Sequence, residues 1–298
     1  MTQFRPLFDL PVCPESTGAL PIIGVPWEKT TSYRTGTGKA PEHIAAATTQ
    51  VDLHHALYGT QIADTGVVYH PLPIEPAWKS EDLDAHLYDC VRRIYRTHHT
   101  IGLIGGEHSL TAAVVRALAT HHPQLGILHI DSHFDLRPNY QNSIYSHASV
   151  MYRCLPYSSA ITAVGIRDYS SEEATIAADN RITTWSDWAI TQQLAQGQSW
   201  HAITQAIIAS CPDVIYLTLD IDGLTPACCP DTGTPVPGGL SYRDLQYLLY
   251  QLYLSKKRVI GFDLVEVAGE AHSTGIITAA HLLYTLCGLI GASRDATC

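Results

Sequence analysis

Asp131-Ser132-His133-Phe134-Asp135 closes the apolar run Gly126-Ile127-Leu128-His129-Ile130. A short apolar run bounded by turn-forming residues reads as a buried strand, and on a strand alternate side chains share a face. Asp131, His133 and Asp135 are therefore expected to point together from a strand end into one pocket, bringing three metal-type donors together. Short Asp/His stretches also build turns and helix caps, so the rest of the chain has to decide.

On either side of this segment, apolar runs alternate with helix-like patterns. Strands are expected near residues 20–26, 62–68, 101–104, 125–130, 160–166, 181–184, 214–219 and 259–262. Helices are expected over 41–47, 80–98, 109–119, 147–154, 171–178, 186–210, 241–254 and 276–290. The helix from Ser80 opens with Glu81 and Asp82 and carries Leu83, Leu87, Val91 and Ile94 at helical spacing. Such alternation implies an α/β fold, a mostly parallel sheet covered by helices on both faces. With no composition break and no repeat, residues 1–298 read as one domain. Two loops stand out: the polar stretch 27–39, and 223–240, long enough to suggest a functional role.

Composition narrows the function. The chain has 298 residues and a formal net charge of −10, with Lys256-Lys257-Arg258 as its longest basic run, which argues against a nucleic-acid binder. Only 15% of residues are charged, which is low for a soluble protein and suggests burial against other subunits of a homo-oligomer. Eight cysteines without a C-x-x-C pair form neither a disulfide framework nor a zinc ribbon. The N-terminus lacks a signal-peptide pattern and no apolar run is long enough to span a membrane, so a cytoplasmic location with no membrane partner is expected.

The polar signatures share one placement. Gly105-Gly106-Glu107-His108, the Asp131 segment, Asp220-Ile221-Asp222 and Asp263-Leu264-Val265-Glu266 each follow an apolar strand. In open parallel sheets ligands collect beyond the carboxyl ends of strands, so four signatures can build one site. His108, Asp131, His133, Asp135, Asp220 and Asp222 supply four carboxylates and two imidazoles, too much negative charge to bury unpaired. Two divalent cations would neutralise it. The oxygen-rich set suits Mn²⁺, with Ni²⁺, Fe²⁺ or Zn²⁺ as alternatives. Two cations about 3.5–4 Å apart lower the pKa of a shared water, and the expected reaction is hydrolysis.

Together, Gly105-Gly106-Glu107-His108-Ser109, Asp131-Ser132-His133-Phe134-Asp135, and Asp220-Ile221-Asp222 with Gly233-Thr234-Pro235 resemble the ureohydrolase family of arginases and agmatinases, over nearly the whole chain. The resemblance implies a three-layer α/β/α fold with a mostly parallel sheet of about eight strands and a binuclear manganese site. It places one metal on His108, Asp131, Asp135 and Asp220, and the other on Asp131, His133, Asp220 and Asp222. It implies that Asp135 accepts a proton from the attacking hydroxide and passes it to the leaving amine. Glu266 would hold the planar guanidinium, and His147 would shuttle protons at the pocket mouth. Trimers or hexamers are implied as well.

The resemblance implies a small guanidino substrate. Arginases usually carry Ser-x-Asn-x-His, where this chain has Ser143-Ile144-Tyr145-Ser146-His147, and Arg137 stands where arginases tend to have Asn. Thr31-Ser32-Tyr33 and Tyr145-Ser146-His147-Ala148 resemble the agmatinase-like branch. Agmatine carries a distal amine that Asp168, Glu172 or Glu173 could meet, whereas Arg137 in the pocket would favour a guanidino acid such as guanidinobutyrate or guanidinopropionate. Guanidine and arginine complete the alternatives. Two other classes are a single-zinc deacylase and a regulatory paralogue without activity. Thr225, Ser132, Phe134 and His272 depart from common family residues, and Cys228-Cys229 reads as loop packing rather than a soft metal site.

Overall fold

The computed structural model describes residues 6–10, 19–57, 59 and 66–295. Its strands are β1 (Leu20–Val25), β2 (Val67–Pro71), β3 (Ile101–Gly105), β4 (Gly126–Ile130), β5 (Ile161–Val164), β6 (Ile182–Trp185), β7 (Val214–Asp220) and β8 (Arg258–Val265). They form one 8-stranded sheet in the order β2-β1-β3-β8-β7-β4-β5-β6, and every neighbouring pair is parallel.

Parallel neighbours need crossovers, and helices supply them. These are α1 (Ala40–Ala47), α2 (Ser80–His98), α3 (Thr111–Ala119), α4 (Val150–Cys154), α5 (Ser171–Ile176), α6 (Asp187–Ala195), α7 (Trp200–Ser210), α8 (Tyr242–Leu254) and α9 (Thr274–Asp295). The period-two pleat sends adjacent residues to opposite faces. Ile22, Leu128, Leu217 and Leu219 join a core with α1, α7, α8 and α9, while Ile23, Ile127 and Tyr216 join a second core with α2, α3 and α4. Two cores divided by one sheet make the three-layer α/β/α sandwich that the sequence suggests.

Several boundaries differ from expectation by a few residues, and three of the differences are informative. β2 starts at Val67, and residues 62–65 of the expected second strand lie outside the described residues. The expected helix 186–210 is two helices, because Gly197 adopts φ +89° and Ser199 caps a new start by accepting from the Ala202 amide. β8 runs three residues past Phe262, so Asp263 lies inside the sheet rather than beyond its end. Its buried carboxylate is tolerated there because the hydroxyls of Thr111, Tyr216 and Thr218 donate to it at 2.7, 2.8 and 2.6 Å.

Both long loops are anchored by single side chains. Glu28 accepts from the Gly36 and Gly38 amides at 2.8 and 2.9 Å, which folds the 27–39 loop over the sheet end. The Arg167 guanidinium donates to the carbonyls of Gly165, Asp222, Leu224, Val236 and Pro237, which ties down the 223–240 loop. Cys229 is buried in the apolar core beneath that loop, as expected of a packing residue. Among the described residues no helix is long and apolar enough to cross a membrane.

Candidate active site

Four consecutive strands of the sheet, β3, β8, β7 and β4, deliver the site from their carboxyl ends. His108 opens the turn after β3. That turn needs glycine at 106, because a Cβ there would lie 2.0 Å from the Trp27 carbonyl oxygen. Asp131, His133 and Asp135 follow β4, Asp220 ends β7 with Asp222 just beyond it, and Glu266 follows β8.

His108 is the centre of the first cluster. Its Nδ1 lies 3.3 Å from Asp131 Oδ2, 3.2 Å from Asp135 Oδ2 and 3.3 Å from Asp220 Oδ2. On the other side of the ring, Nε2 lies 2.8 Å from Thr218 Oγ1, whose own hydrogen goes to Asp263 Oδ1 at 2.6 Å. The threonine oxygen can then only accept, so Nε2 carries a ring proton and Nδ1 of the neutral ring presents its lone pair to the carboxylates. That atom is buried and lacks a hydrogen-bond partner. A lone pair facing three carboxylate oxygens in a dry site is repulsive unless a cation lies between them.

A second cluster shares Asp131. His133 Nδ1 stands 3.5 Å from Asp131 Oδ1 and 3.1 Å from Asp222 Oδ2. Asp131 thus turns one oxygen toward each imidazole, which is the geometry of a bridging ligand. The backbone orients the other oxygens: the Ser132 amide donates to Asp222 Oδ1 at 3.0 Å and the Asp222 amide to Asp220 Oδ1 at 2.9 Å.

The protonation states of the bare cluster conflict. Burial together with the neighbouring Asp222 and Asp131 pushes Asp220 well above the carboxylate range, and burial with Asp131 raises Asp222. Burial alone would depress both imidazoles, but the carboxylates raise His108 well above its ordinary value and His133 to about 12. Burial also opposes ionisation of Asp131, yet His129, His108 and His133 hold it well below the usual range. Divalent cations resolve this conflict by replacing the protons. The donor set fits two such ions, one on His108, Asp131, Asp135 and Asp220 and one on His133, Asp131 and Asp222.

The ligand backbone is strained where the chemistry concentrates. Asp135 and Glu266 hold φ +53° and +63°, left-handed conformations that an Asp tolerates and a Glu does not favour, so the strain falls on Glu266. Glu266 is held there by its own amide on the Gly106 carbonyl at 2.8 Å, while its Oε1 accepts from the His108 amide at 2.6 Å. Burial, with Glu107 nearby, raises its pKa well above normal.

Above the ligands lies a cavity of about 210 Å³ lined by His133, Asp135, Arg137, Tyr140, His147, Asp168, Tyr169 and Glu173, among others. A narrower crevice below it reaches Asp220, Asp222, Glu266 and Thr234. Of the expected substrate residues, Arg137, Asp168 and Glu173 line the cavity and Glu266 lines the crevice. Arg137 is already engaged, with Nε 3.4 Å from Glu173 Oε2 and its guanidinium over the Tyr140 ring at 5.0 Å. The Asp168 side chain is 68% exposed and stands 3.9 Å from His133 Nε2. Tyr145 and Glu172 do not line either space: Tyr145 stacks under the Arg153 guanidinium at 4.3 Å, and Glu172 is exposed on α5. Helical geometry explains the second case, because the α5 capping box turns Glu173 inward, where it accepts from Ser170 and Leu136.

The residue missed by reading the sequence is His129. Its Nε2 lies 2.8 Å from Asp131 Oδ2, beside the His108 ring. The signal was present, since His129, Asp131, His133 and Asp135 continue the same alternation one step further back. Thr30 and Thr218 also carry site hydrogen bonds with no local sequence signature, whereas Glu107 and Asp263 lie within two of the polar signatures but have partners that local sequence does not reveal.

The family comparison agrees with this geometry. The Arginase family profile matches residues 19–288. The chain belongs to the arginase family. As a member it is a ureohydrolase-type enzyme, a hydrolase of guanidino C–N bonds. It is similar to N(1)-aminopropylagmatine ureohydrolase of Synechocystis sp., 31% identical over 285 residues, 93% of this chain and 90% of that protein. It is also similar to agmatinase of Pyrococcus horikoshii, 33% identical over 275 residues, 90% of each. The crystal structure of agmatine ureohydrolase of Thermoplasma volcanium superposes with a TM-score of 0.82 at 25% identity, covering 96% of this chain and 94% of that one.

Proposed function

We propose that this arginase-family enzyme is a cytoplasmic homo-oligomer that uses two Mn²⁺ per chain to hydrolyse an amine-tailed guanidino substrate, agmatine, to putrescine and urea. The observation that carries the reading is the polarity of the cavity mouth above the metal-type cluster: Asp168 is exposed to a substrate tail, whereas Arg137 is spent on Glu173. An acidic tail would meet a guanidinium already paired, and a cationic tail would meet an exposed carboxylate. N(1)-aminopropylagmatine, named for the Synechocystis relative, is the second reading. It shares the guanidino head and carries a longer cationic tail.

His108, Asp131, His133, Asp135, Asp220 and Asp222 would hold the cations. When bound, paired divalent cations acidify a water and supply the nucleophile at neutral pH. Asp135, lining both spaces, is placed to accept a proton and return it to the departing amine. Glu266 keeps lone pairs on both oxygens for the planar guanidinium, because the His108 amide uses only one. His147 lines the same spaces and carries protons at the mouth.

The test is urea release from the Mn²⁺-loaded protein with agmatine, N(1)-aminopropylagmatine, arginine, guanidinobutyrate, guanidinopropionate and guanidine, alongside metal analysis and light scattering. Agmatine should give the highest kcat/KM, with two metals per chain in a trimer or hexamer. Preference for a guanidino acid would overturn the tail assignment. One zinc per chain with no urea from any substrate would overturn the reaction.

A further inference from the structure

We infer that Glu107, acting through the Thr30 hydroxyl, is a positioning residue that fixes the tautomer and aim of His147. Glu107 is fully buried and accepts four hydrogen bonds: from the Lys29 amide at 2.7 Å, the Thr30 amide at 2.6 Å, Thr30 Oγ1 at 2.9 Å and Ser109 Oγ at 2.6 Å. As a carboxylate it can only accept, so the Thr30 hydrogen points to it. The lone pairs of the same oxygen face His147, whose backbone amide and Nδ1 both lie 3.1 Å away. Ser146 Oγ is farther from Nδ1, at 3.5 Å.

The consequence is a fixed ring. With its hydrogen committed to Glu107, Thr30 can only accept from Nδ1, so Nδ1 bears the proton. Nε2 is left as the basic atom for the cavity that His147 lines. The arrangement is a carboxylate buttress on a histidine with one hydroxyl inserted, and it spans 117 residues from Thr30 to His147. Local sequence does not reveal it. Its effect is to hold the ring against the two-fold flip that would turn Nδ1 outward and to favour the state that accepts a proton at Nε2.

This inference rests on the proposed proton-carrying role of His147, and the experiment separates the two. Thr30→Val removes the hydroxyl while keeping the shape, and Thr30→Ser keeps the hydroxyl. Steady-state kinetics with agmatine and metal analysis would be run on both, on His147→Ala, and on the Thr30→Val/His147→Ala pair. Thr30→Val should lower kcat about tenfold with KM and metal content unchanged, and His147→Ala about a hundredfold. Thr30→Ser should recover most of the loss, and Thr30→Val should have no further effect once His147 is gone.

Several results would overturn the link. These are full additivity in the double variant, Thr30→Ser as slow as Thr30→Val, or metal loss in Thr30→Val, which would mean that the contact serves His108 instead. If His147→Ala keeps full kcat, the proton role of His147 falls and the link falls with it.

Discussion

At the floor of the pocket His108, Asp131 and Asp220 are buried at strand ends, and their polar atoms are oriented by backbone amides, hydroxyls or one another. At the rim Arg137, Asp168 and Tyr169 stand on loops, partly exposed, and their side chains are held by only one or two ion-pair or ring contacts each. Under the proposed function the contrast assigns a different selectivity to each region. The floor is overdetermined, so it can keep four carboxylates converging and strained backbone in place for a metal-dependent reaction. The rim is loosely determined, so its charges can vary and set which tail is accepted.

If this contrast is sound, changes at the floor should damage metal binding and turnover together, whereas rim changes should alter only substrate preference. Asp220→Asn should have the largest effect, lowering Mn²⁺ affinity by at least about a hundredfold and abolishing urea release while the fold survives. Metal analysis after dialysis checks it, and unchanged stoichiometry would break the assignment of Asp220 as a ligand. Thr218→Val strips the hydroxyl between His108 and Asp263, and should weaken metal binding about 10- to 100-fold and lower Tm. A metal titration with undiminished affinity would show that the ring needs no such support.

Glu266→Gln sharpens the comparison, because Glu266 sits at the floor yet is assigned to substrate. It should keep both ions and lose about 10- to 100-fold in kcat/KM, the loss expected for one charge-assisted hydrogen bond. Normal turnover would remove it from the substrate site. Asp168→Asn, at the rim, should raise KM for agmatine only about fivefold with kcat intact, as suits an exposed charge. A large fall in kcat would erase the division between floor and rim.

The floor also predicts a pH dependence. In the metal-stripped protein, His108, His133, Asp220, Asp222 and Glu266 all have raised pKa values. A raised folded-state pKa gives stability that is complete below the unfolded value and lost as pH rises through the folded one. Asp131, lowered, opposes this but is one group against five. Stripped protein should therefore melt at a lower temperature at about pH 8 than at about pH 5, and Mn²⁺ should narrow the difference. Thermal unfolding with and without chelator checks this, and the reverse trend in stripped protein would mean that the acidic cluster is not under strain.

Much of the floor was legible because the candidate metal-type donors recur at alternate positions just past a strand end. Asp131, His133 and Asp135 were readable for that reason, and His129 belongs to the same series but was absorbed into the apolar run. Rim residues offered no such rule. Glu172 and Glu173 differ by one position, and only the α5 capping box decides that Glu173 turns inward. Tyr145 looked like a substrate contact from its neighbours, but Arg153 takes its ring.

The sequence by itself determined the strands, the helices and the donor chemistry, because hydrophobic periodicity and side-chain type are local properties. Tertiary structure alone decided the order β3-β8-β7-β4, which inserts the last strand of the chain among the earlier ones and brings four distant strand ends to one point. It also decided which hydroxyl meets which carboxylate behind His108 and His147. Those contacts, with the imidazoles they support, join residues 45 to 117 positions apart, and only sheet packing fixes separations of that kind.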